Sequence, residues 1–296
     1  MSNLASITRA NFLPLTLVII FAGLGASSYS HMKFNSVDAA LALIGGLLTH
    51  ASVNAYNNYF DYSSRIDERT TKTPFSGGVE TLVKGQMKPS QAFAVATLCL
   101  IGAGLVGIYF LLRLFYALLP FILYGVFIIL LYTPLLSKIH GLSEFVAGSG
   151  FGLMGLGAYV TQAGVVDAAG ITVFVPVTIL VALLLFLNEF PDAEVDKAAG
   201  RRHLVILLGK KTSAKVYVAG LAATYLSILL AVVSQAAPFA VLGSLVTLPM
   251  AFKAGRRVLL NYDRTNELVP ALGLNVVVIL STILLLGVGF VMAPYV

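Results

Sequence analysis

From Pro89 to Leu136 the chain carries a single charged residue, Arg113. A helix needs about 20 apolar residues to cross the hydrocarbon of a bilayer. That stretch alone has room for two crossings, parted at Arg113. Similar runs recur along the chain, and their limits give nine spans: 12–30, 38–60, 89–112, 114–136, 142–162, 170–190, 213–235, 237–253 and 268–293. The span 237–253 is short and contains Pro249; Pro89, Gly141, Gly170 and Pro270 mark helix starts or loop edges. Only 11% of the residues are charged and the mean hydropathy is +0.91, against about 25% charged in a soluble domain. Too little polar surface exists to cover a globule in water. The expected fold is all-α, a polytopic membrane protein whose single transmembrane domain fills residues 1–296.

The segment Phe12 to Ala26, preceded by Arg9, has the shape of a secretory signal. It is read as a first span, because every later segment is also hydrophobic. The single cysteine, Cys99, lies in an apolar run, so neither a disulfide framework nor a cysteine metal site is expected.

Charge sorts the loops. With the N-terminus in the cytoplasm, all of the 19 lysines and arginines except Lys33 and Arg113 fall on the cytoplasmic side. Such a bias is the ordinary signature of orientation in a cell membrane. The net charge of +6 is then a matter of topology, and no nucleic-acid partner is expected. The two longest inner loops, 61–88 and 191–212, each begin at an acidic motif.

The second motif reads Asn188-Glu-Phe-Pro-Asp192-Ala-Glu-Val-Asp196-Lys-Ala-Ala-Gly-Arg201-Arg202. Asn188, Asp192 and Asp196 recur every four residues, which places them on one helix face. The first reads Asn57-Asn58-Tyr59-Phe60-Asp61-Tyr-Ser-Ser-Arg65-Ile-Asp67. Asp61 and Asp67 are about 600° apart on an unbroken helix, so the helix is expected to end near Asp61 and the chain to turn Asp67 back. Acids at the mouth of a hydrophobic segment are costly and point to a site that neutralises them. Four carboxylates, Asp61, Asp67, Asp192 and Asp196, suit a hard cation such as Mg²⁺ that bridges protein carboxylates and substrate phosphates, with Mn²⁺ as a substitute. Asn57 and Asn188, one turn before an Asp, would supply amide oxygens or hold the carboxylates. The alternative is that such residues only cap helices or meet headgroups; two motifs on one side favour the site.

Basic residues follow each motif: Arg65, Arg69 and Lys72 after the first, Lys197, Arg201 and Arg202 after the second. Acids for a metal beside cations for oxyanions suggest a diphosphate substrate, although inner loops are basic in any case. His50, Asn54, Asn57, Asn58 and Asp61 form a polar stripe down the second span, which serves either a cavity or helix–helix contact. Tyr132, with Tyr56, Tyr59 and Tyr62, would offer aromatic faces to a cationic intermediate; tyrosine at an interface is also common without any role. Lys138 and His140 are weaker candidates.

These residues resemble the UbiA superfamily of intramembrane prenyltransferases, which carry N-x3-D motifs on two cytoplasmic loops of a nine-helix fold. The likeness covers nearly the whole chain. Thr73-Pro-Phe-Ser-Gly-Gly78, the second motif and Gly141-Leu-Ser-Glu144 resemble the MenA-like branch, which prenylates 1,4-dihydroxy-2-naphthoate for menaquinone. Asn58 stands where that branch often has Asp, and Arg65 where it often has Gly.

The resemblance implies that Mg²⁺ held by Asp61, Asp67, Asp192 and Asp196 grips the diphosphate of a polyprenyl donor. Asn54, Asn57, Asn188, Arg65, Lys72, Lys197 and Arg201 would line the substrate, with Tyr132 beside the reacting carbon. An aromatic acceptor would attack, and the prenyl tail would lie among apolar helices or membrane lipid. Other acceptors of the family are 4-hydroxybenzoate, geranylgeranylglyceryl phosphate, haem and chlorophyllide. CDP-alcohol phosphotransferases hold their acids in one continuous block, unlike the two blocks here. An ion-coupled transporter is the remaining class, but its ion sites usually lie near the midplane.

Overall fold

The computed structural model describes residues 2–32, 34–64 and 79–293. Asp67, Arg65, Arg69, Lys72 and the segment 73–78 lie outside the described residues. Those described form helices and connecting turns, with no strand among them. In chain order the helices are α1 (Asn3–Ile7), α2 (Pro14–His31), α3 (Ser36–Ser63), α4 (Glu80–Val83), α5 (Pro89–Leu131), α6 (Leu142–Ala163), α7 (Ala168–Ala198), α8 (Leu204–Leu208), α9 (Lys210–Val233), α10 (Leu248–Asn261) and α11 (Thr265–Met292). Six, namely the one ending at His31, α3, α5, α7, α9 and α11, are long and apolar enough to cross a membrane.

The count of nine differs from these six for identifiable reasons. Spans 89–112 and 114–136 are joined in α5, whose backbone leaves helical geometry at Leu114 (φ −133°, ψ 40°). The chain reverses there: a Cβ on Gly107 would lie 3.4 Å from Ile122, whereas fifteen residues of straight helix rise about 22 Å. Arg113 at this turn donates to both oxygens of Asp38, at 2.6 and 2.8 Å, and Tyr109 donates to the same carboxylate at 2.8 Å. The break expected at Arg113 is therefore present, one residue on. The span 142–162 corresponds to α6, and 237–253 divides between a 3-10 helix, Phe239–Thr247, and the first turns of α10.

Helix α6 packs through its glycines. A side chain at Gly148 would meet the Thr178 carbonyl of α7, and one at Gly23 of α2 would meet the Gly155 carbonyl. Small residues at such faces let membrane helices approach closely. Ile19, Tyr159, Val173, Leu180 and Ile279 join α2, α6, α7 and α11 in one core, and Phe190, Tyr217 and Leu272 join α7, α9 and α11 in another. The second core, through Phe190 and Ala193, fixes the end of α7, where the second acidic motif sits.

Candidate active site

Asp61 lies in the last turn of α3, and Asp192 and Asp196 lie in the last turns of α7. All three are buried, and all three line one cavity of about 300 Å³. The two motifs expected to meet do so through Arg201. Its Nη2 donates to Asp61 Oδ1 at 2.5 Å and its Nη1 to Asp196 Oδ1 at 3.2 Å. A turn through Gly200 (φ +84°), closed by the Arg201 amide on the Asp196 carbonyl at 2.9 Å, folds the guanidinium back under α7. Burial disfavours the Arg201 charge, yet Asp61 and Asp196 outweigh it and hold the guanidinium more firmly protonated than usual.

Asn57 and Asn188 also line the cavity. Asn57 donates to Thr133 Oγ1 at 3.1 Å and accepts from Arg9 Nη2 at 3.0 Å. Asn188 Oδ1 is buried without a hydrogen-bond donor among the described residues. A buried acceptor of that kind, beside carboxylates from two helix ends, is the oxygen-rich donor set that a hard divalent cation takes. The residues present fit Mg²⁺.

Tyr132 caps α5 at the cavity wall. Asn54 and His50 both line the cavity and both tie helices together: Asn54 donates to the Thr8 carbonyl at 2.9 Å, and His50 Nδ1 lies 2.8 Å from Thr16 Oγ1. Asn58 faces away, donating to the Ile7 carbonyl at 2.8 Å while accepting from Arg9. Lys197 is exposed and does not line the cavity. Asp67, Arg65 and Lys72 lie outside the described residues.

Four cavity neighbours carried no signal in the spacing. Arg9 reads in sequence as one more inner-side charge, but its left-handed backbone (φ 48°) turns it onto Asn57 and Asn58. Glu189 sits beside Asn188, about 100° off the motif's face. His203 follows the basic pair that draws the eye. Glu144 was read only as part of a likeness in Gly141–Glu144. The Gly141 amide donates to the Arg202 carbonyl at 2.9 Å, bringing the last two together.

A second cavity, of about 440 Å³, is lined almost wholly by apolar residues such as Ile20, Val106, Phe121 and Leu153. Thr49, Gly125, Ile129, Gly150 and Met154 line both cavities, so the polar one adjoins the apolar one.

The site is thus an acid- and arginine-lined chamber at one end of a helical bundle, beside an apolar chamber. The chain belongs to the UbiA prenyltransferase family, whose sequence pattern matches residues 16–277. It is a membrane prenyltransferase that works by polyprenyl transfer. It is 28% identical to the 1,4-dihydroxy-2-naphthoate octaprenyltransferase of Bacillus subtilis over 234 residues, 77% of this chain and 71% of that one. It is 30% identical to the UbiA prenyltransferase domain-containing protein 1 of Danio rerio over 240 residues, 78% of this chain and 69% of that one. The fold is that of a UbiA homologue from Aeropyrum pernix K1, solved in its apo form, with a TM-score of 0.74, 19% identity and coverage of 95% and 98% of the two chains. A UbiA homologue from Archaeoglobus fulgidus, solved with DMAPP and Mg²⁺, aligns with a TM-score of 0.61 at 13% identity over 98% of this chain and 99% of that one.

Proposed function

We propose that this prenyltransferase moves a polyprenyl group from its diphosphate to 1,4-dihydroxy-2-naphthoate or a close aromatic relative. The observation that carries the reading is the meeting of Asp61 and Asp196 at Arg201, in a cavity that adjoins an apolar one. The acceptor rests on the naphthoate enzyme of Bacillus subtilis among the relatives.

Asp61, Asp192 and Asp196, with Asp67, are the residues that would hold Mg²⁺, and Mn²⁺ would serve in its place. When bound, the ion supplies Lewis-acid neutralisation of the diphosphate leaving group. Arg201 is a shared cation: freed from Asp61 and Asp196, its planar fork would reach two diphosphate oxygens. Arg9 adds a second guanidinium on the opposite wall, held there by Asn57 and Asn58. Asn188 would add its amide oxygen to the donor set, and Asn57 holds Arg9 at the cavity. Arg65, Lys72 and Lys197 would offer further positive charge to the head group.

The allylic carbon would then sit between the polar and apolar chambers, below Tyr132. The phenol ring offers an electron-rich face to positive charge. Apolar walls keep water from the cation, so the aromatic acceptor is the available nucleophile. The tail would run into the second chamber, at about 0.8 kcal/mol per buried methylene. Nine crossings, with the reversal at Leu114 supplying two of them in α5, put the N-terminus and both acidic motifs on the cytoplasmic side of the cell membrane, within one domain. Acids at helix ends, far from the midplane, speak against transport.

The test offers purified protein, Mg²⁺ and radiolabelled geranylgeranyl diphosphate to 1,4-dihydroxy-2-naphthoate, 4-hydroxybenzoate and geranylgeranylglyceryl phosphate in parallel. Prenylated naphthoate is expected. Product from only another acceptor would move the assignment within the family.

A further inference from the structure

Beside the aspartate motifs lies a group that the prenyl-transfer reading does not use. Glu144, Glu189 and His203 are 3%, 8% and 2% exposed, and one ligand atom of each lies within 4.8 Å of the other two. They come from three separate elements: the first turn of α6, the C-terminal part of α7 and the N-cap of α8. His203 Nδ1 is 3.6 Å from Glu189 Oε2. Among the described residues, neither ring nitrogen of His203 has a hydrogen-bond partner, and neither has Glu189 Oε2. Buried polar atoms of this kind ordinarily find partners.

Two facing carboxylates can share a proton or a cation. A shared proton serves Glu144 and Glu189 but gives His203 Nδ1, 3.6 Å from Glu189, no hydrogen-bond partner. A metal ion satisfies all three. Four-coordinate zinc has bonds of about 2.0–2.1 Å to nitrogen and oxygen, which set neighbouring ligand atoms about 3.4 Å apart. The imidazole–carboxylate distance is already close to that.

The surroundings match what orients metal ligands. Glu144 accepts from Ser143 Oγ at 2.7 Å and from the Leu204 amide at 2.6 Å, which fixes its carboxylate. The other ring nitrogen of His203, Nε2, is 3.3 Å from Asp196 Oδ2. A carboxylate behind the far nitrogen of a metal-bound histidine is the usual support for such a ligand.

We propose that Glu144, Glu189 and His203 form a second metal site, distinct from the aspartate motifs, for a borderline divalent ion of the Zn²⁺ or Co²⁺ kind. One imidazole with two carboxylates favours such ions over Mg²⁺, which prefers oxygen alone. Three protein ligands leave a fourth position open. Glu189 and His203 line the polar cavity, so the ion has a path in and its open position can take a ligand from that side. An acceptor hydroxyl or carboxylate oxygen is the ligand the site would hold; this clause alone rests on the prenyl-transfer reading.

The test adds Co²⁺ to chelator-treated full-length protein in detergent and records the visible spectrum. An intense four-coordinate band is expected in the unmodified protein and in an Asp61→Asn, Asp192→Asn double variant. The band is expected to vanish in Glu189→Gln and in His203→Gln. Displacement of the band by Zn²⁺ in the unmodified protein gives the same answer without relying on a variant that folds. A weak six-coordinate spectrum alone overturns the site. So does a band lost in the aspartate variant and kept in Glu189→Gln. A shift of the band on adding 1,4-dihydroxy-2-naphthoate supports the acceptor role, and an unmoved band removes it. Absence of prenylated product from every acceptor, with the cobalt band intact, would retire the prenyl-transfer reading and leave the metal site standing.

Discussion

Arg201 Nη2 lies 2.5 Å from Asp61 Oδ1, although the two residues are 140 apart in the chain. The same guanidinium reaches Asp196 at 3.2 Å. One cation thereby joins the ends of α3 and α7 and occupies the space between the two acidic motifs. A metal ion and a diphosphate entering that space must compete for the same carboxylates. Arg201 is thus both a stabiliser of the protein alone and a group to be released for substrate.

Arg201→Gln should separate these roles. Removing one partner of a buried ion pair costs about 3–5 kcal/mol, so the variant is expected to melt at a lower temperature than the unmodified protein without metal. Mg²⁺ should then raise its melting temperature by more than it raises that of the unmodified protein, because no guanidinium has to be displaced. Equal shifts on adding Mg²⁺ would count against Arg201 standing between the motifs.

Asp61→Asn and Asp192→Asn should each abolish turnover while leaving the protein folded and inserted. Changes to residues that only support a metal ligand cost about 10–100-fold, and loss of a ligand itself should exceed that. The measurement is prenyl transfer at saturating donor, beside circular dichroism in the same detergent. Rates near those of the unmodified enzyme in either variant would sink the assignment of these carboxylates.

Excess EDTA should stop the reaction, and either Mg²⁺ or Mn²⁺ should restore it. Both ions accept an oxygen-rich donor set such as three carboxylates with the Asn188 amide oxygen. Full activity with chelator present would contradict the use of a divalent ion.

Much of this was legible before any coordinates. Apolar run length placed the helices, because burial in lipid demands it. Spacing at four put Asp192 and Asp196 on one helix, and both do line the cavity. The join of two spans at Leu114 was half legible: Arg113 marked the break, but its capture by Asp38 is a tertiary contact with no local signal. Glu144, Glu189 and His203 were unreadable for the same reason. Their approach depends on the Gly141 amide meeting the Arg202 carbonyl across 61 residues of chain. Asn58 stood on a polar stripe that could serve a cavity or a helix contact, and its amide takes the second role, anchoring the chain at Ile7.

The junction between the two cavities gives a test of where the prenyl tail goes. Gly125 lines both, and a Cβ built there meets no heavy atom within 4 Å. Gly125→Leu should therefore fold well, because leucine suits a helix interior better than glycine by about 0.5–1 kcal/mol. Its side chain would fill the passage and shorten the space available to the donor. Geranyl diphosphate should remain a substrate, while kcat/KM for geranylgeranyl diphosphate should fall relative to it by about tenfold. That ratio corresponds to about 1.4 kcal/mol, the burial of roughly two methylenes at about 0.8 kcal/mol each. Competition between the two donors in one reaction reads the ratio directly. A ratio unchanged from the unmodified enzyme would mean that the tail leaves the polar cavity by another route, between helices and into lipid.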